Sequence, residues 1–302
     1  ASERSRYAFI QGDRSSPQAW DQSMEKYRTH LWEEVLGRLP DPTEAPNARM
    51  WKVFDEESWT GYQVVLDVWS DVIAFGILCI PKDLEPGEQR PVVVTQHGAG
   101  GLPRHTVRRE PDGSAGDAYN SFAAWLAERG FITFAPHNPS GSRGGFPFRQ
   151  IERKANPLQK SLFSLIIGQH QQILNWLGSL DYVDPDRIGF YGLSWGGRTA
   201  MRVPAVLTED SLSIASGDFK DWVLKVMTVN FAKSYMFSGA FETYEFNLGH
   251  TFNHAELAGL IAPRPFMVES GYYDFVASDE WVGHEYAKVH RLYDLLGISD
   301  RT

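Results

Sequence analysis

Ser194 lies in Gly192-Leu193-Ser194-Trp195-Gly196, with a further glycine at Gly197. A serine at this spacing from two glycines can act as an acyl-transfer nucleophile if its turn lifts the hydroxyl clear of the backbone. The flanking residues suit such a turn. Ile188–Tyr191 is a short apolar run fed by the polar Asp184-Pro185-Asp186, and the residues after Gly197 favour a helix. Strand, tight turn and helix in that order make a nucleophile elbow. The glycines follow from sterics: a Cβ two residues before or after the serine collides with the neighbouring strand or helix. The helix start behind the serine turns free N–H groups and a positive dipole end toward any oxyanion formed there. The five residues alone also fit an ordinary Gly/Ser-rich loop between a strand and a helix.

The partners of such a serine belong at other strand ends. The apolar run Pro91–Gln96 leads into His97-Gly98-Ala99-Gly100-Gly101, where the glycines let backbone N–H groups approach a substrate carbonyl. The expected oxyanion donors are the N–H of Trp195 and that of Ala99 or Gly98, and His97 is expected to anchor the loop. The acid should follow a later strand. Pro265–Ser270 reads as a buried strand, Gly271 as its turn, and Asp274 as the carboxylate at the sheet edge. Asp218, after the strand Leu212–Ser216, is the second candidate and Glu269 the third. No histidine stands in the matching place. His284 and His290 fall in Ser278–Leu296, a helical pattern with apolar Trp281, Tyr286, Val289, Leu292 and Leu295. The pattern therefore predicts that the base lies beyond Thr302. His250 and His254 fit the wall of the pocket. Their spacing also fits a helical metal pair, but no carboxylate framework accompanies them and no metal is expected.

The elements that must carry these residues are legible in outline. Ser16-Pro17 opens a helix with Trp20, Met24, Tyr27, Leu31 and Val35 on one face, stopped by Gly37 and Pro40. Residues 49–55, 62–69 and 72–80 read as strands, the last two as a hairpin across Ser70-Asp71. Beyond Pro91 strands and helices alternate: a helix near Tyr119–Arg129, a strand at Phe131–Ala135, a long amphipathic helix over Ser161–Leu180, then the strands named above. An antiparallel entry followed by repeated strand–helix units predicts an α/β fold with a mostly parallel sheet covered by helices on both faces. The division expected is an N-terminal helical flank, 1–48, and a single compact unit, 49–302.

The composition sets limits. The chain has 302 residues and a net charge of −9, without a lysine/arginine run, so neither nucleic acid nor an anionic membrane is expected as a partner. Its one cysteine, Cys79, lies in an apolar run and reads as core, and no apolar run reaches membrane-spanning length. Oligomeric state is not readable.

Together the blocks Gln96–Gly101, Val183–Gly197, Leu260–Phe266 and Gly271–Asp274 resemble the α/β-hydrolases of the acetyl xylan esterase and dienelactone hydrolase type, over nearly all of residues 49–300. The resemblance implies the α/β-hydrolase fold, Ser194 as nucleophile, Trp195 with the Gly98–Ala99 turn as oxyanion hole, Asp274 as acid, and no cofactor. The departure is the last strand and its histidine loop, which the sequence does not show. The resemblance implies a serine carboxylesterase for small acyl esters, acetyl groups on carbohydrate among them, working through an acyl-enzyme. Arg143 and Arg149 are candidates to contact an anionic part of the substrate, with salt bridges in a solvated loop as the plainer reading. A polysaccharide substrate implies a secreted or periplasmic location, which nothing in the sequence marks. Two other readings stand beside this one: a peptidase related to the prolyl oligopeptidases, and an inactive hydrolase domain serving as a binding module.

Overall fold

The computed structural model describes residues 10–108, 118–139, 148–238, 245, 247–274 and 276–302, without the side chains of Phe148 and Arg149. Eight strands form one sheet: β1 (Arg49–Asp55), β2 (Trp59–Trp69), β3 (Val72–Pro81), β4 (Arg90–Gln96), β5 (Ile132–Pro136), β6 (Val183–Leu193), β7 (Leu212–Ser216) and β8 (Phe266–Glu269). Their order is β1-β2-β3-β5-β4-β6-β7-β8. β1, β2 and β3 are antiparallel to their neighbours, and the β2–β3 hairpin turns at Ser70-Asp71 as expected. The pairs β5–β4, β4–β6, β6–β7 and β7–β8 are all parallel. The antiparallel entry into a mostly parallel sheet is thus present.

Helices α1 (Pro17–His30), α2 (Pro103–Val107), α3 (Phe122–Ala127), α4 (Phe148–Ala155), α5 (Leu162–Gly178), α6 (Trp195–Val206), α7 (Trp222–Met227), α8 (Leu248–Thr251), α9 (His254–Ile261) and α10 (Asp279–Leu295) complete the frame. Period-two alternation splits the sheet's apolar residues between two cores. Leu78, Val92, Val94, Phe134, Ile188 and Phe190 pack with α1, α5 and α6, whereas Ile77, Cys79 and Ala135 pack with α2 and α3. On the α3 side an apolar groove of about 800 Å³ continues over β6 and β7, lined by Trp125, Tyr191, Leu193, Leu212 and Ile214 among others. Burial pushes the Cys79 thiol up to about 12, consistent with a core residue.

Local rules account for several boundaries. The Ser16 hydroxyl accepts the Ala19 N–H, and Pro17 opens α1. Its last turn relaxes to a π-helical Leu31–Leu36 before Gly37 (φ 85°). Asp184–Arg187, expected to precede a strand, lie inside β6. Arg90 pairs with Val183 and Val92 with Ile188, so the four residues between them bulge from the ladder into solvent. Helix α3 starts later than its apolar pattern suggests, because Asn120 and Ser121 take φ of 45° and 50°. Among the described residues no helix is long and apolar enough to cross a membrane.

Candidate active site

Register brings the expected residues together. Gln96 pairs with Gly192, Leu193 with Ser216, and Ser216 with Glu269, so four parallel strands end level. The next residues in each chain segment, His97–Gly101, Ser194, Gly217 and Ser270–Asp274, therefore meet at one sheet edge. The ladder continues one step into these turns: Ser194 N–H donates to the Ser216 carbonyl (2.8 Å) and Gly217 N–H to that of Glu269 (2.9 Å).

Ser194 occupies φ 60°, ψ −116°, a backbone region costly to a residue with a Cβ. Close packing forces it there. A Cβ on Gly192 would overlap the Gly196 carbonyl, one on Gly196 would overlap that of Gln96, and one on Gly197 would lie 2.5 Å from the Ser216 oxygen. The strained turn leaves Trp195 as the first residue of α6. Its N–H lies at the positive end of the helix, and among the described residues it has no protein acceptor.

The opposite wall is a turn in which Gly101 N–H donates to the Gly98 carbonyl (3.1 Å) and Gly100 takes φ 71°. Gly98 is packed against Ser194: a Cβ there would lie 3.1 Å from its Cβ. The Gly98 N–H, one of the expected oxyanion donors, already donates to the Tyr119 hydroxyl (3.0 Å). The Ala99 N–H, on an exposed residue of the same turn, has no acceptor among the described residues. Of the expected donors, Trp195 and Ala99 are accordingly left open among the described residues, and Gly98 is not.

His97 anchors this loop. It is fully buried; Nε2 accepts the Asn138 N–H (3.0 Å), which leaves Nδ1 to donate to the Gly98 carbonyl (2.8 Å). Burial pushes its pKa down to about 3, so the ring is neutral.

Asp274 sits where the strand–glycine–aspartate pattern places it. A Cβ on Gly217 would lie 3.8 Å from the Ser194 nitrogen and 3.9 Å from Asp274 Oδ2, so carboxylate and serine flank the same glycine. Asp274 Oδ1 accepts the Val276 N–H (2.8 Å). A cleft of about 570 Å³ opens here, lined by Leu193, Ser216, Gly217 and Glu269 through Asp274. Tyr272 and Tyr273 stand 79% and 91% exposed at its rim, ring centroids 5.0 Å apart.

The two other acids are engaged. Glu269 accepts the Tyr191 hydroxyl (2.9 Å). Asp218 is buried behind the elbow, its Oδ2 bonded to Arg198 Nε (3.1 Å) and its Oδ1 to Lys220 Nζ. Burial alone would raise its pKa; the charges of Lys220 and Arg198 outweigh it and hold the carboxyl well below the ordinary range. The cluster extends to Arg202, with Nε 2.8 Å from Glu245, and the Arg198 guanidinium stacks over Trp195, 4.5 Å from its centroid. Sequence reading did not single out this cluster. The available signal was Arg198 four residues after Ser194, one turn down the same face of a helix. Tyr119 carried no signal, since only tertiary folding brings it to Gly98.

All nine histidines are described. Among the described residues none hydrogen-bonds to Ser194 or Asp274. His250, His284 and His290 are exposed. His254 is buried, stacked on Trp222 (5.4 Å), and Nδ1 accepts the Lys220 N–H (3.1 Å). It is therefore part of the core behind the cleft, not a free group of the pocket wall. Arg143 lies outside the described residues, as does the side chain of Arg149.

No protein-family model matches the chain. It is 26% identical over 269 residues to YtaP of Bacillus subtilis, provisionally classed as a hydrolase; the match covers 88% of this chain and 87% of that protein. Among solved structures it resembles a Bacteroides fragilis protein provisionally assigned as an acetyl xylan esterase. The TM-score is 0.75 at 19% identity, over 96% of this chain and 76% of that one. A glucuronoyl esterase of Teredinibacter turnerae follows at TM-score 0.65 and 18% identity, over 94% and 75%. At these identities the likeness is one of fold. The chain has the α/β-hydrolase fold.

Proposed function

We propose that this chain is a serine esterase acting on small acyl esters. Ser194 Oγ attacks the ester carbonyl, and the oxyanion so formed accepts hydrogen bonds from the Trp195 and Ala99 N–H groups. The C–O bond to the alcohol then breaks, the alcohol leaves with a proton, and water releases the acyl group from Ser194. The observation that carries this reading is the Ser194 backbone at φ 60°, ψ −116° beside two N–H groups without acceptors among the described residues. A serine in an ordinary loop needs neither the strain nor the open donors. Asp274 is the acid of the proposal because it adjoins the serine, while Asp218 and Glu269 are held elsewhere.

The alcohol we propose is a carbohydrate. Esterases of sugar polymers are among the proteins that share the fold, and two exposed tyrosines at the rim of the cleft suit stacking on a pyranose face.

The test is hydrolysis of p-nitrophenyl acetate by the folded chain and by Ser194→Ala, with and without added imidazole, together with fluorophosphonate labelling. Turnover and labelling lost in Ser194→Ala support the proposal. A rate that rises with imidazole only when Ser194 is present also supports it. No turnover and no labelling in either condition overturn it in favour of a binding module. Acetylated xylan against p-nitrophenyl acetate then decides the alcohol.

A further inference from the structure

Lys225, on α7, is buried to 1% exposure, and among the described residues its hydrogen-bond partners are backbone carbonyls. Its Nζ donates to the carbonyls of Lys233 (2.7 Å) and Val276 (2.5 Å). It also stands over the rings of Tyr235 and Phe231, 4.5 Å and 5.2 Å from their centroids. The Val276 N–H donates in turn to Asp274 Oδ1. One ammonium group thus joins α7, the 231–235 segment and the loop that carries the candidate acid. A bare buried lysine is costly, so its persistence calls for the carbonyls and ring faces that receive it.

We propose that Lys225 is a positioning residue for Asp274: its ammonium holds the Val276 carbonyl and, through that residue, whose N–H donates to the carboxylate, fixes Asp274 at the mouth of the cleft. For its effect on rate this rests on the serine-esterase reading; the clamp itself does not. The charged groups acting on Lys225 are Asp218 and Asp274, which favour its proton, and Lys220 and Arg198, which oppose it. Tyr235 faces it from the neighbouring turn. Burial first, then Lys220, lowers its pKa to about 8. As pH rises through that value the ammonium loses a proton and its charge, the bonds to the two carbonyls weaken, and Asp274 is released. The site is therefore sensitive to mildly alkaline pH through a residue outside the catalytic set.

Two measurements on the full chain test this. Amide exchange at Val276, corrected for its intrinsic pH dependence, should quicken across pH 7–9. In Lys225→Met it should be roughly tenfold faster or more at pH 7, with the alkaline change gone, while α6 and β6 keep their protection. The Lys225 ¹³Cε resonance of the unaltered protein should titrate well below an ordinary lysine, together with the Val276 amide. If the chain turns over ester, kcat should fall on the same alkaline limb with KM little changed, and Lys225→Arg should move the limb upward. Val276 exchange within about twofold of the parent in a folded Lys225→Met chain, or a lysine titrating at the ordinary value, would overturn the proposal. Exchange and titration read the clamp even if Ser194→Ala shows the chain to be no esterase, so the two readings fail separately.

Discussion

Exchanging each of two aspartates for asparagine should separate structure from chemistry. Asp218 is 4% exposed and bonded to both Arg198 and Lys220, inside a cluster that also holds Arg202 and Glu245. Asp218→Asn removes one of its two carboxylates, the one bonded directly to both Arg198 and Lys220. Breaking a buried ion pair from one side costs about 3–5 kcal/mol, and an amide that still accepts one bond puts the change near the lower end, about 3 kcal/mol. With a urea dependence of roughly 3 kcal/mol per molar, the midpoint falls by about 1 M. Asp274→Asn keeps the oxygen that accepts the Val276 N–H and lies at an open cleft, so its midpoint should shift by less than about 0.5 kcal/mol equivalent. Its rate should fall more than that of Asp218→Asn, because Asp274 flanks the same glycine as Ser194 whereas Asp218 is tied into the ion cluster. Urea melts followed by tryptophan fluorescence, with p-nitrophenyl acetate rates at low temperature where both variants are folded, give the two numbers. The pH dependence adds a sign. The folded pKa of Asp218 is depressed, so its contribution is full above the ordinary carboxylate value and is lost as pH falls toward the depressed one. Asp218→Asn should flatten that acid limb. An Asp218→Asn chain as stable as the parent, or one that loses more rate than Asp274→Asn, would refute the assignment of the two acids.

Other expectations follow from single contacts. Gly192→Ala drives a Cβ into the Gly196 carbonyl and should cost roughly 3 kcal/mol, the top of the overpacking range, with fluorophosphonate labelling lost; denaturant melts and labelling check this. Tyr119→Phe strands the buried Gly98 N–H and should lower stability by about 1–3 kcal/mol while slowing turnover through a loosened oxyanion loop. Asp210 is 1% exposed with both carboxylate oxygens unbonded among the described residues, and burial, against the opposing charge of Arg264, raises its pKa to about 7. A raised carboxyl pKa means stability that is full below the ordinary value of 3.8 and lost as pH rises to 7. Asp210→Asn should therefore match the parent at pH 4 and exceed it at pH 8 by a difference on the order of 4 kcal/mol, read from urea melts at both pH values.

Local signals in the sequence determined a good deal here. Ser16-Pro17 fixed a helix start because cap geometry is local, and β-branched, aromatic and apolar runs marked β2, β3 and β4 because each run lies within one strand. The elbow was legible for the same reason: the glycines at 192, 196 and 197 record steric limits within one turn, and φ 60° at Ser194 is their consequence. The position of Asp274 at the cleft was legible from its place after a strand and a glycine, since level strand ends bring that turn to the sheet edge. What only the tertiary structure decided involves groups far apart in the chain. Lys220, two residues on, is a local partner of Asp218, but Arg198 reaches it from 20 residues away and closes on it and not on Asp274. Nothing local removes Gly98 from the oxyanion donors; Tyr119, 21 residues on, does that. Lys225 and the Val276 carbonyl are 51 residues apart. Turns and strands follow from the sterics of neighbouring residues and can be read in order along the chain. Charge pairing and the occupancy of an N–H depend on which distant group arrives within about 3 Å, and that is settled only when the sheet is assembled.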